Sequence, residues 1–156
     1  MNGPRDRSEP ADGSGGRGGD LDRLRVAGEE YGQRWGWRTA VDGGVLYLLL
    51  PDNLVAMVAR VGTAGEILGL LARRNLEGPV IAVPGDPERW VFLADRAATP
   101  PGTAVAPVGV DLIDTKVSLP PSTTPYGGVR WVRPPSAHRR VPDLLVVLAA
   151  ARLTLS

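Results

Sequence analysis

Between Val117 and Pro135 the chain reads VSLPPSTTPYGGVRWVRPP, with five prolines and two adjacent glycines. No helix can run through such a segment, because proline lacks an amide proton and its ring clashes with the preceding turn. The segment must be short extended pieces separated by turns. Pro120-Pro121 stops a strand, Ser122-Thr123-Thr124 can bond locally to backbone, and Gly127-Gly128 permits a tight approach. Arg130 and Trp131 then point to opposite sides of one strand. A tryptophan can stack a base and arginines can hold phosphates. Equally, a strand tryptophan suits a sheet core, and prolines suit connectors.

The flanking sequence supplies more strands than helices. Met1 to Gly19 has almost no apolar side chains and six glycines, too little to offset ordering entropy, so residues 1–19 are expected as a disordered tail. A folded domain is expected over 20–156. Asp20 can cap a helix to about Trp35, with Leu21, Leu24, Gly28, Tyr31 and Trp35 on one stripe. WRTAVDGGVLYLLL reads as a hairpin around Asp42-Gly43-Gly44, with Val45–Leu50 buried on both faces. LVAMVARV, from Leu54, is a second buried strand. Thr63 and Glu66 form a capping box for a helix over about Ala64–Arg74, which Asn75 and Gly78 end.

Short strands follow over Pro79–Val83, Trp90–Ala94, Val108–Ile113, Lys116–Leu119 and Val129–Val132. A last helix begins after Pro142, with Asp143 in its first turn, and ends near Leu153. The order predicts an α+β fold, three helices packed on a mainly antiparallel sheet. A hydrophobic fraction of 43% is enough for one core in a 156-residue chain.

Several chemistries are excluded. With no cysteine there is no disulfide, zinc-thiolate site, iron–sulfur cluster or cysteine nucleophile. His138 is the single histidine, so a histidine-rich metal site is impossible. No Walker A sequence is present, and the glycines of 13–19 follow no strand. In VDLIDTK, Asp111 and Asp114 fall on opposite strand faces, which leaves Asp111 as the single, weak metal candidate. No signal peptide is visible, and Leu144–Ala151 is too short to span a bilayer, so a cytoplasmic protein without a membrane partner is expected.

The formal net charge of +1 excludes a generally basic nucleic-acid coat. From Thr115 onward, however, six basic residues face Asp143 alone, a local net charge of +5. That asymmetry permits an anionic partner at this end, and equally an ordinary solvated surface.

The order of elements and the local wording resemble a known family. YGQRWGW, LYLLLP, TAGEILGLLARRNLEGPVIAVPGDPERWVFLA and VGVDLIDTKVSLPPSTTPYGGVRWVRPP together resemble the N-terminal primase–polymerase domain of bifunctional DNA primase/polymerases. The likeness is to the small stand-alone versions of high-GC actinobacteria and covers about Leu21–Leu153. It implies the archaeo-eukaryotic primase fold with an RRM-like sheet, and a nucleotide site beside the PPS…G…W…PP segment. Active members carry an acidic pair on the strand matching LVAMVARV and a Gly-Gly-x-His turn matching VPGDPERW. Here that strand has no acid, the turn is Gly85-Asp86-Pro87-Glu88, and only Asp111 matches a third acid. One carboxylate cannot hold two divalent metals.

The resemblance therefore implies a degenerate, non-catalytic primase–polymerase-like domain with no cofactor. Ser122, Arg130, Trp131 and Arg133 would carry any retained nucleotide or nucleic-acid binding, with affinity falling steeply with salt. The alternative is a protein-interaction or regulatory module without nucleic-acid affinity, recognised by a partner-covered apolar patch. A weakly active nucleotidyltransferase would require a metal at Asp111.

Overall fold

The computed structural model describes residues 13–100 and 102–156. The first helix, α1 (Gly13–Trp35), starts upstream of the expected cap, so Asp20 lies inside it. Gly13–Gly19, expected as tail, forms its first turns, while residues 1–12 lie outside the described residues. Leu24 and Gly28 seat the helix on the sheet, and each further helical residue then gains a backbone bond without a new nucleus.

A hairpin follows, β1 (Thr39–Asp42) and β2 (Val45–Leu49), with Asp42 opposite Val45. Gly43 and Gly44 both take positive φ, 59° and 76°, which a two-residue turn matched to strand twist requires. The expectation that this strand is buried on both faces is corrected. Leu46 and Leu48 are buried but Val45, Tyr47 and Leu49 only half so, because β2 lies in a small sheet with one covered face.

β3 (Leu54–Arg60) is buried at every position except Arg60 and runs directly into α2 (Val61–Arg73). The expected Thr63–Glu66 capping box does not form. Arg60 is the N-cap, and the Glu88 carbonyl accepts the Val61 amide at 2.9 Å, so the tertiary partner replaces the side-chain cap. Asn75, at φ 55°, ends the helix as expected, with the Asn75 and Leu76 amides donating back to the Ala72 and Leu71 carbonyls. Then come β4 (Val80–Val83), β5 (Arg89–Asp95), β6 (Val110–Ile113), β7 (Lys116–Ser118), β8 (Thr123–Thr124), β9 (Gly127–Gly128), β10 (Arg130–Arg133) and α3 (Leu144–Leu155).

The main sheet has the order β10-β4-β5-β3-β6 with every neighbouring pair antiparallel. β3 and β4 are therefore parallel, joined by α2, with β5 between them, which is a split β-α-β unit. Helices α2 and α3 cover one face through Val55, Met57, Ala59, Phe92, Ile67, Leu71 and Val147. On the other face Ala56, Val58, Ile81, Val91 and Leu93 lie under α1 and the three-stranded sheet β1-β2-β7, against Leu24, Leu46, Leu48 and Leu119. Each fully buried large apolar side chain contributes about 1.5–3 kcal/mol. The fold is α+β, as the sequence implied, and two apolar faces on one sheet arrange it in three layers. Among the described residues no helix is long and apolar enough to cross a membrane.

Candidate aromatic groove

Four residues were expected to share a site, and the structure disperses them. Ser122 is buried in the core. Its hydroxyl accepts the Leu46 amide at 2.9 Å and donates to the Leu46 carbonyl at 3.3 Å. Its backbone carbonyl accepts Val129 N–H at 2.8 Å. Ser122 thus ties the proline-rich segment to β2, a bond across the fold where a local turn bond was expected. The local role falls to Thr124, whose hydroxyl donates to the Gly127 carbonyl and accepts the Tyr126 amide.

Arg130 lies on the helix-covered side of β10. It forms a two-pronged ion pair with Glu88, at 2.6 and 3.1 Å, while Trp90 Nε1 donates to the same carboxylate at 3.2 Å. Hydrogen bonds from Arg130 hold the Glu88 carboxyl below its ordinary range, opposed by burial and helped by Trp90. Arg133 is exposed and donates to the Val132 carbonyl. With Glu77 and Arg139, which pair with each other, it lines a hollow of about 250 Å³ on the far side of Pro134. Asp111 is exposed on the edge strand β6 opposite Val58. Among the described residues no group of three or more histidine, aspartate or glutamate side chains is placed to share a metal ion with it.

Trp131 points to the opposite side from Arg130, as strand alternation demands, and meets α1. Its indole N–H donates to the Tyr31 hydroxyl at 3.1 Å, and that hydroxyl donates to the Pro120 carbonyl at 2.8 Å. Burial raises the Tyr31 pKa, against the lowering effect of the Trp131 N–H, so the phenol keeps the proton it donates. Tyr31 stacks on Trp37 at 5.7 Å between centroids, and Trp131 lies 6.2 Å from Tyr31 and 6.1 Å from Trp37. Trp35 stands 6.4 Å from Trp37, with the Arg34 guanidinium 5.6 Å from its centroid.

Three of these rings, those of Tyr31, Trp35 and Trp131, form one wall of an open groove of about 530 Å³. Tyr31, Trp35 and Trp131 line it together with Pro120, Pro121, Pro134 and Pro135, and Glu30 and Arg34 stand at its rim. Both proline pairs of the opening segment thus converge on α1. A groove of flat, half-buried rings offers stacking surface, and its single rim cation suits a ligand of low charge density or one that runs past the groove.

Of the four sequence candidates, Trp131 alone lines this groove. Tyr31 and Trp35 were legible as part of an apolar stripe, but nothing local signals that Tyr31 meets Pro120 and Trp131. Comparison of the chain with protein-family models, with curated proteins and with solved structures gives no match.

Proposed function

We propose that this chain is a non-catalytic, primase–polymerase-like domain that holds nucleotide units of a single-stranded nucleic acid in the aromatic groove. The observation that carries it is the groove itself: half-buried tryptophan and tyrosine rings beside two proline pairs, open to solvent, at the basic end of the chain. Bases stack on such rings regardless of sequence. Arg34 at the rim and exposed Arg133, next to Pro134, supply phosphate contacts.

The non-catalytic part rests on chemistry the sequence lacks. β3 reads LVAMVAR, with no carboxylate to hold a metal beside Asp111. Glu88, in the turn where a histidine would stand in active members of the resembled family, is engaged by Arg130 and Trp90.

A second reading has one specific observation in its favour. Paired prolines against aromatic rings form a wall of the kind that takes a polyproline II peptide, which would make the domain a protein-interaction module.

Fluorescence-anisotropy titration of labelled oligo-dT tests the proposal, with Trp35→Ala alongside. Loss of one stacking ring is expected to weaken binding about ten-fold. No binding, or binding indifferent to Trp35, would contradict it. A proline-rich peptide bound in a Trp35-dependent way, with no oligonucleotide binding, would favour the second reading.

A further inference from the structure

β3 and β5 end side by side, and Arg60 lies directly opposite Arg89 in their antiparallel register. Residues so paired project from the same face, with Cβ atoms about 4.5–5.5 Å apart. The face is the one turned away from α2 and α3. Val58, two residues before Arg60, and Val91, two residues after Arg89, both belong to the core beneath α1 and the small sheet. Both arginines are exposed, so the apolar cover stops short of them.

Like charges directly opposite one another destabilise a sheet unless an anion compensates. Among the described residues no ion pair involves Arg60 or Arg89. Glu88, adjacent in sequence to Arg89, is committed on the helix-covered face to Arg130 and Trp90. Asp111 shares the arginines' face, opposite Val58 and diagonal to Arg60, but makes no ion pair with it. The fold therefore sets two exposed arginines side by side at a strand end, neither of them in an ion pair.

We infer that Arg60 and Arg89 form a binding site for a phosphate oxyanion. Guanidinium forks match tetrahedral oxyanions through paired hydrogen bonds, and a dianion between them turns mutual repulsion into shared attraction. Val58 on β3 and Val83, opposite Arg89 on β4, are the apolar neighbours of the pair on that face. The site does not include the aromatic groove and does not rest on the nucleic-acid reading. Terminal phosphate of a free nucleotide and phosphodiester of a strand present the same chemistry here.

Thermal melting at low ionic strength tests the site. Inorganic pyrophosphate is expected to raise the wild-type melting temperature by several degrees more than chloride at matched ionic strength, and Arg89→Gln or Arg60→Gln should abolish the difference. Arg74→Gln, an exposed arginine on the far end of α2, should leave it intact. Without pyrophosphate, Arg89→Gln should melt at or slightly above wild type, because repulsion is relieved; this also shows that the variant folds. A wild-type response equal to chloride, or one retained in both arginine variants, would overturn the inference. Oligo-dT in place of pyrophosphate separates the sources: a matching Arg89-dependent gain assigns strand phosphodiester, and a gain from pyrophosphate alone assigns terminal phosphate. If Arg89→Gln abolishes the pyrophosphate effect while Trp35-dependent oligonucleotide binding is absent, this site stands and the groove reading falls.

Discussion

Gly28 is where α1 touches the hairpin. A Cβ built there would lie 2.7 Å from Thr39 Oγ1 and 3.2 Å from Leu46 Cδ1, so even alanine makes the Thr39 side chain or the helix give way. Gly28→Val is expected to cost about 1–3 kcal/mol, read from the midpoint of chemical denaturation. Ser122→Ala leaves the buried Leu46 amide without its partner and should cost about 1–3 kcal/mol by the same measurement, with oligonucleotide affinity unchanged. Glu88 gives a pH signature. Its folded pKa is depressed, first by the Arg130 hydrogen bonds, so its contribution is complete above the ordinary value of 4.5 and is lost as pH falls through the depressed value. Glu88→Gln should flatten the acid limb of melting temperature against pH while leaving the neutral limb parallel to wild type. At this scale the sequence was least informative about roles. Ser122 and Arg130 were legible as polar residues near a turn, but their partners, Leu46 and Glu88, are far away in sequence, and side-chain chemistry alone does not name a partner.

The elements were more legible, because their signals are local. Asp42-Gly43-Gly44 could only be a tight turn, and the turn has both glycines at positive φ. The unbroken apolar run of β3 marked a central strand, and it is flanked on both sides in the sheet. Met57, with no exposed surface, packs on α2 and α3 from its middle, and Met57→Ala should cost about 2–5 kcal/mol in equilibrium unfolding. Helix starts differ from the capping signals, upstream of Asp20 by propagation along α1 and at α2 by a tertiary partner. Asp20 and the Thr63–Glu66 pair are genuine capping chemistry, yet a cap is worth only about 1 kcal/mol, and at α2 neighbouring structure overrides it. The Val61 amide, which opens α2 two residues before Thr63, finds the Glu88 carbonyl. The groove was invisible at this scale because its two walls, α1 and the proline-rich segment, are far apart in sequence and meet only through tertiary contacts.

Across the whole molecule, both faces of the main sheet are covered. In an open split β-α-β sheet one face is free to stack bases, but here α1 and the β1-β2-β7 sheet fill it with apolar side chains. On the proposed reading, ligand contact falls to the margins, the aromatic groove at one side and the paired arginines at one strand end. With Arg130 engaged by Glu88, Arg34 and Arg133 remain for phosphates near the groove. The salt dependence should therefore be shallower than the C-terminal charge suggested. Two phosphate contacts on a single strand give a logarithmic slope of about −1.4, roughly a seven-fold loss of affinity for a four-fold rise in salt. Anisotropy titrations across a salt series check that slope, and one near zero would remove phosphates from the account.

The most direct measurement of the groove's role is ultraviolet cross-linking of oligo-dT to the intact protein, followed by peptide mapping. The account predicts adducts on the peptide carrying Trp35 and on the peptide carrying Trp131, both lost when excess unlabelled oligonucleotide competes. Adducts confined to other parts of the chain, or none under conditions where a known single-strand-binding protein cross-links, would contradict it.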